Sequence, residues 1–505
     1  MAATVPRRGE ATEIGAAGRG GVLVRGRLRA AIGTSWDANS SKGGPAKSTR
    51  FRHLIKSVFV SASREIRRHA AILLIVGGLA HFAGLSHPRE VVFDEATFGN
   101  YVAAYCCTGE RIFDVHPPHG KLLIALGAKL GGFDGSFKFD HIGQSYGDQP
   151  VVALRLVPAL AGTLIPLMFF LFLRELRASP PIAFMGGLLV ALDNAFLVDT
   201  RIIVFDGILV AATFGALTCF LAAQRQSGIG WRIIAAGVLA GLAVGTKTTG
   251  LAALALMGVC LVFGLGVVRA SLGARVKQAL VLAVAAAVIY AAGWVIHWVV
   301  LPNPGPGDAF YKTTGQMVPD LLTGHRTMIA QNIALNATHP DASRPWTWPF
   351  MKITPYLWQG TGASIYMLGN PVVWWGTALV FLALLVQLGV MGPLGSRPPP
   401  AINAEPRLWV PLAGYAIAFV PLLPVARVLF IYHYLTPLLF SLAFVLLWLD
   451  RSGWTRPGGV RQQRTSYVVV LGLAVIGFVM VSPLTYGFSV GGYDEWLVDV
   501  IRSWR

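Results

Sequence analysis

Asp94 and Glu95 stand side by side just after the apolar triplet Val91-Val92-Phe93. Paired acids beside an apolar run are costly unless water or a reaction employs them. Alone, the pair reads as a solvated loop; as chemistry, an ionised carboxylate can take a proton from an acceptor hydroxyl. Nearby cations shift the balance towards chemistry. His116 and Lys121 follow in the same stretch, Arg155 opens the next apolar run, and Arg201 lies beside Asp193, Asp199 and Asp206. Lys247 sits within Gly-Thr-Lys-Thr-Thr-Gly, and Arg427, Tyr432 and His433 cluster near the start of a later run. Any one of these reads as a snorkelling side chain or a structural ion pair. Gathered at the outer ends of helices beside two carboxylates, they fit a substrate that carries phosphate at the membrane surface.

Glycosyl transfer from a lipid-linked sugar monophosphate suits that set. The departing phosphate needs its charge neutralised, which Arg and Lys supply, and the acceptor hydroxyl needs a base. One base and a cation cluster suffice, whereas a glycoside hydrolase needs a second carboxyl as acid. Asp94, Glu95 and His116 could ligate a metal, but no HExxH-like spacing demands one; no cofactor is expected, and a divalent ion is left open. The chain has no GxxxxGK[ST] loop, so nothing points to ATP-driven transport.

These residues must be held by a membrane scaffold. Of 505 residues, 54% are hydrophobic and only 13% are charged, against about a quarter charged in a soluble protein. That excludes a soluble multidomain enzyme, a disordered scaffold and, with four cysteines, a disulfide-built secreted protein. The expected class is an all-α polytopic membrane protein. Its 42 Lys+Arg against 24 Asp+Glu, formally +18, fall largely in the N-terminal tail and between apolar runs. There they set topology rather than bind nucleic acid.

Runs long enough to span lie near 70–86, 151–173, 181–198, 202–223, 232–247, 249–268, 279–300, 371–391, 408–425, 427–449 and 467–485, about eleven helices. With the tail in the cytoplasm every inner loop is rich in Arg or Lys, as at Arg174 and Arg177 or at Arg269, Arg275 and Lys277. The expected topology is therefore N-in and C-out. Residues 1–69 read as a basic, mostly disordered cytoplasmic tail. Residues 70–300 form an N-terminal module with a catalytic outer loop at 87–150, and 301–370 a second outer loop. Residues 371–490 form a C-terminal four-helix-type module, and 491–505 an outer tail. Gly120 to Phe133 reads as an amphipathic helix in the membrane interface. Trp346, Trp348, Trp358, Trp374 and Trp375 are expected at headgroup level. Cys219 and Cys260 lie in apolar runs, while the adjacent Cys106 and Cys107 leave their redox state open. Asn336-Ala337-Thr338 matches a glycosylation sequon, which reads as chance.

Several ordered motifs resemble the protein O-mannosyltransferase family, the dolichyl- or polyprenyl-phosphate-mannose-dependent enzymes. In the first outer loop they are Phe93-Asp94-Glu95, Asp114-Val115-His116-Pro117-Pro118, Lys121-Leu122-Leu123 and Asp134-Gly135-Ser136-Phe137. Leu154-Arg155-Leu156-Val157-Pro158-Ala159, Leu192-Asp193-Asn194-Ala195, Arg201 with Asp206, and Lys247 with Gly250 follow. Ser343-Arg344-Pro345-Trp346-Thr347-Trp348-Pro349, Gly369-Asn370-Pro371 and Tyr432-His433-Tyr434-Leu435 complete the series, which runs from about residue 70 to 490.

The resemblance implies a GT-C glycosyltransferase fold and inversion at the sugar carbon. It puts Asp94 at the catalytic aspartate, Glu95 beside it shaping the acceptor site, and Arg155 and Lys247 at the donor phosphate. His116, Lys121, Arg201 and His433 are the remaining donor-binding candidates. It further implies a polyprenyl-phosphate-linked mannose donor and a polypeptide Ser or Thr acceptor met as it crosses the membrane. The partners are then donor, acceptor and membrane lipids, with the active site on the periplasmic face of a bacterial plasma membrane. Eukaryotic members insert a β-trefoil MIR domain after the seventh span; the segment here is about 70 residues without that repeat, which resembles a bacterial-type member. One alternative keeps the fold and changes the acceptor to a lipid or cell-wall glycan. Another, a transporter or lipid flippase, would place polar residues deep in several helices, and here most lie at the outer ends.

Overall fold

A computed structural model of the chain describes residues 46–225, 229–334, 337–394, 406–452 and 460–503. The tail 1–45 and Asn336 of the sequon lie outside the described residues. The first helix, α1, runs Ala46–Phe82, so the stretch 46–69 expected within the disordered tail is helical. In the sequence Phe51, Leu54, Ile55, Val58 and Phe59 recur at helical spacing, a period that the basic composition hides. Residues 65–505 form one compact unit, separate from 1–64, and the packing described here is within it.

Apolar runs become helices because every backbone polar group must be satisfied internally in a lipid environment. By length and composition, five helices among the described residues are long and apolar enough to cross a membrane. They are Val151–Glu175 (α4), Asp206–Ala223 (α7), Leu272–Val300 (α10), Ile431–Ser452 (α14 from Leu435) and Thr465–Tyr486 within Val460–Tyr486 (α15). Shorter apolar segments fall at the other expected runs: Pro180–Ala191 (α5), Trp231–Thr246 (α8), Leu251–Phe263 (α9), Pro371–Gln387 within Pro371–Leu394 (α12), and Trp409–Phe419 (α13).

The run at 181–198 is not one helix. It breaks at Asp193, whose carboxylate accepts from the Ala195 and Phe196 amides (3.2 and 3.3 Å) and caps a separate short helix, Asn194–Asp199 (α6). Residues 200–205 stay non-helical before α7, so the expected start at 202 moves to Asp206. α7 packs against α4 and α8, and α8 against α10. That last contact is close: a Cβ on Gly237 would sit 2.6 Å from Ala285 Cβ, and one on Gly241 2.6 Å from Ala286 O. Two glycines four residues apart let the helix backbones approach.

Both segments expected to face outward carry more structure than their sequences suggest. The first holds Glu95–Ala103 (α2), a π turn Ala104–Thr108 and His119–Leu130 (α3), the last starting one residue from the amphipathic helix expected there. Cys106 and Cys107 are joined to each other in the π turn. The second holds Met317–Ala334 (α11) and an antiparallel hairpin, Tyr356–Gly360 (β1) with Ala363–Tyr366 (β2), paired Trp358 to Ile365 and Gly360 to Ala363. A final helix, Tyr493–Arg502 (α16), occupies most of the expected tail.

The tryptophan belt needs correction. Trp348, Trp358 and Trp374 are buried in the protein, while Trp346 is exposed. Their indoles have protein partners: Trp348 donates to Ser343, Trp358 to Glu90 (2.8 Å) and Trp374 to Asp193 (2.9 Å). Asp193 thus joins distant parts of the chain, since its Oδ2 also accepts from the Asn370 amide (3.1 Å). Asn370 in turn donates to Leu192 O and Ala474 O, and Asn194 donates to Thr485, so the α5–α6 break is tied to α12 and α15. Asp193→Ala would strand the Asn370 and Trp374 donors in the interior, each costing about 1–3 kcal/mol. Thermal unfolding in detergent is expected to show a clear drop in melting temperature; an unchanged transition contradicts this role.

Candidate active site

The two adjacent acids have opposite fates. Glu95, fully buried, lies in the first turn of α2. Its Oε1 accepts from Arg155 Nε (2.8 Å) and the Ile203 amide (3.0 Å). Its Oε2 accepts from Arg155 Nη2 (2.8 Å), the Val92 amide (2.8 Å) and the Tyr146 hydroxyl (3.0 Å). Arg155 spends its other donors on the carbonyls of Leu85, Pro88 and Glu90. A guanidinium has five N–H bonds, and these contacts use them all. Arg155 therefore pins the loop 85–95 to α4 and has no donor left for a phosphate, which corrects the expectation for it. Glu95 is likewise a positioning residue.

Asp94 precedes α2 as its N-cap residue, yet makes no capping hydrogen bond. Phe93 before it has φ 47°, a left-handed conformation that is strained for an aromatic residue. The Phe93 amide donates to Leu357 O (3.0 Å), so the hairpin holds that conformation. Asp94 then faces a small chamber lined also by Phe93, Phe98, His116, Asp199, Asp206, Lys247, Leu357, Met367 and Tyr432. Burial pushes its carboxyl up to about 7; Lys247 pulls it down, and Asp206 and Asp114 push it further up. Such a group changes charge near neutral pH.

Lys247 is placed by the end of α8: its backbone is extended where the helix stops, and its ammonium donates to Asp206 (2.8 Å) over the Tyr432 ring (4.8 Å from the centroid). His116 stands edge-on to Phe205, with its Nδ1 buried and unpartnered. Burial, then Lys247, Lys121 and Arg427, hold its imidazole well below the ordinary range, so it is neutral. Lys121 is buried against Asp114 and also donates to His116 O (2.8 Å), which fixes the His116 loop. His433 donates from Nδ1 to Phe430 O (3.0 Å) and stacks on Tyr432 and Trp348.

Next to the chamber, and sharing His116 and Lys247 with it, lies a larger cavity of about 720 Å³. Arg427 and His433 line it as well, with Thr248 and Thr249. Its other wall is apolar: Met328, Ile329 and Ile333 of α11 with Leu422 and Val425. A cationic edge and an apolar wall suit an amphiphile with a phosphate head. Among the described residues no group of three or more His, Cys, Asp or Glu side chains could hold a metal ion.

Of the expected site residues, Asp94, His116, Lys247 and His433 converge, and Lys121 supports them from behind. Arg201 does not join them. Its guanidinium donates to the carbonyls of Ala80, His81, Ala83 and Gly84 at the end of α1 and stacks on Tyr486 (4.5 Å). It caps the last carbonyls and the negative end of that helix, a correction to its expected donor-binding role. The contributions of α11 and the hairpin went unseen in the sequence. The period Leu321, Met328 and Asn332 was the available signal for α11; nothing local marked Leu357 or Met367.

Comparison with known proteins agrees with this architecture. Residues 71–302 match the family described as dolichyl-phosphate-mannose-protein mannosyltransferase, and residues 317–504 the C-terminal four-transmembrane region of protein-O-mannosyltransferase. Dolichyl-phosphate-mannose–protein mannosyltransferase 4 of Saccharomyces cerevisiae is 34% identical over 48% of this chain and 34% of its own length. Protein O-mannosyltransferase 1 of Drosophila pseudoobscura is 33% identical over 56% of this chain and 33% of its own. The chain thus spans about a third of the length of these curated relatives. Among solved structures, the S. cerevisiae protein O-mannosyltransferase Pmt1–Pmt2 complex bound to the sugar donor superposes with TM-score 0.74 at 18% identity, covering 84% of this chain and 90% of that one. The fold is that of the GT-C glycosyltransferases.

Arg155→Ala separates a clamp from a phosphate ligand. Removing one partner of a buried ion pair costs about 3–5 kcal/mol, so unfolding in detergent is expected at a markedly lower temperature. A weaker affinity for lipid phosphate with unchanged unfolding would contradict the clamp.

Proposed function

The chain belongs to the protein O-mannosyltransferase family, and on that premise we propose that it transfers mannose from polyprenyl-phosphate-mannose to Ser or Thr hydroxyls of proteins. The transfer takes place on the outer face of a bacterial plasma membrane, in an eleven-helix, N-in and C-out arrangement. The observation that carries the reading is the bare Asp94 carboxylate in a chamber that shares His116 and Lys247 with a cavity that has a cationic edge and an apolar wall.

In the proposed reaction the acceptor oxygen attacks the anomeric carbon from the side of Asp94. The bond from that carbon to the phosphate oxygen breaks on the opposite side, and the configuration inverts. The acceptor proton passes to Asp94, and the electron pair leaves with the polyprenyl phosphate. Lys247 and Arg427 neutralise the charge that grows on the phosphate, and the apolar wall of α11 takes the first isoprenoid units. His116, with its Nδ1 unpartnered, and His433, whose Nδ1 is engaged with Phe430 O, stand at the junction of lipid and sugar sites. Water is kept from the anomeric carbon by Phe93, Phe98, Leu357 and Met367, which favours transfer over hydrolysis.

Two measurements test the base. Asp94→Asn is expected to lower transfer by about 10²–10⁴-fold, the usual contribution of a general base, while donor binding stays within about twofold; full activity would remove Asp94 from the mechanism. Because the base must be ionised, kcat/KM should rise about tenfold per pH unit below about 7 and level off above it. A rate that falls as pH rises through that range would contradict the assignment. In the same membranes, radiolabel from the mannosyl donor is expected in protein; label appearing in lipid or glycan instead would overturn the acceptor.

A further inference from the structure

Five carboxylates surround the reacting centre, and four are accounted for. Glu95 is saturated by Arg155, Tyr146 and two amides. Asp206 accepts from Lys247, Asp114 accepts from Lys121, and Asp94 is the proposed base. Asp199 is the fifth. It ends α6, is 5% exposed and lines the same chamber as Asp94, Asp206 and Lys247. Its Oδ2 is sealed from solvent and accepts a hydrogen bond from nothing in the described chain. Burying a carboxylate oxygen unpaired is expensive, and native interiors rarely tolerate it without a reason.

The position of Asp199 names the missing donor. Lys247 and His116 line both the chamber and the larger cavity proposed for the lipid phosphate, and Asp94, the proposed base for the acceptor, lines the chamber alone. What lies between a phosphate and an acceptor oxygen in glycosyl transfer is the sugar ring. A hexose presents hydroxyl donors to a carboxylate and C–H faces to aromatic rings, and Phe93, Phe98 and Tyr432 supply those rings. The chain also holds Asp199 deliberately. The α5–α6 break at Asp193 creates the short helix that ends at Asp199, and the Thr200 amide returns to Phe196 O (3.0 Å) to close it.

We propose that Asp199 accepts a hydrogen bond from a ring hydroxyl of the transferred sugar and so determines which hexose the chamber takes. This rests on the sugar-transfer reading above. Asp199 is then a specificity residue that touches substrate, distinct from Asp94, which takes the acceptor proton.

The test pairs enzyme variants with donor analogues. Wild type, Asp199→Asn and Asp199→Ser are assayed in nanodiscs with polyprenyl-phosphate-mannose and with its 2-, 3-, 4- and 6-deoxy analogues. One deoxy position is expected to lower wild-type kcat/KM at least about tenfold, because a site built for a hydroxyl rejects the analogue that lacks it. At that position alone, the penalty should shrink below about threefold in Asp199→Ser. Asp199→Asn, which keeps the shape and one acceptor oxygen, should fall between. A merely structural residue would lower all donors by one common factor. If every deoxy penalty is the same in wild type and both variants, the Asp199 assignment is wrong while mannose transfer stands. If wild type transfers nothing from the mannosyl donor, the donor reading fails first, and the Asp199 assignment falls with it.

Discussion

The contact between Glu95 and Arg155 is the one on which the site depends. Two charges buried in a low-dielectric interior are tolerable only when each is met by an opposite charge and by hydrogen bonds. Arg155 meets that condition by gathering the carbonyls of Leu85, Pro88 and Glu90 as well as Glu95. The chain between α1 and α2 is therefore drawn onto α4 and cannot wander. Asp94 lies one residue before Glu95 at the start of the same helix, so fixing one acid fixes the direction of the other. The two acids differ accordingly: Glu95 is fully bonded, and Asp94, the proposed base, makes no capping hydrogen bond.

The same constraint orders the cations. Arg201 serves the end of α1, Arg155 serves the loop that follows, and Lys121 serves the turn that carries His116. Each is consumed in placing backbone. Lys247 and Arg427 are left lining the cavity proposed for the donor phosphate. Burial of this many charges is costly, and the proposed transfer, which must neutralise a leaving phosphate away from water, gives a reason for it. Strain at Phe93 belongs to the same arrangement, since the hairpin that holds its left-handed backbone also supplies Leu357 to the chamber wall.

Much of the scaffold was legible because hydrophobicity over long windows is a strong signal; α4, α5, α7–α10 and α12–α15 fall close to the apolar runs. The site was legible in part. The expected topology puts Asp94, His116, Lys247 and His433 on one side of the membrane, and these four do converge. Sequence could not say which cations would spend themselves on backbone carbonyls, because those partners are set by turns: Arg155 and Arg201 look in one dimension just like phosphate ligands. Asp193 hid a helix break inside an apolar run, since a cap is a local interaction that hydropathy ignores. Trp348 and Trp374 looked like interface anchors for the same reason: an indole with a buried acceptor is indistinguishable in sequence from one at a headgroup. The hairpin is too short, and too dependent on its contact with Phe93, to announce itself by alternation.

The account turns on where the donor sits. A structure of the Asp94→Asn variant bound to a mannosyl polyprenyl phosphate examines that most directly, because chemistry is blocked and the ground state persists. The account predicts the phosphate beside Lys247, the isoprenoid along Met328 and Ile329, and the anomeric carbon facing position 94 across the chamber. A phosphate seated instead on Arg155 or Arg201, or a sugar lying outside the chamber, would contradict it.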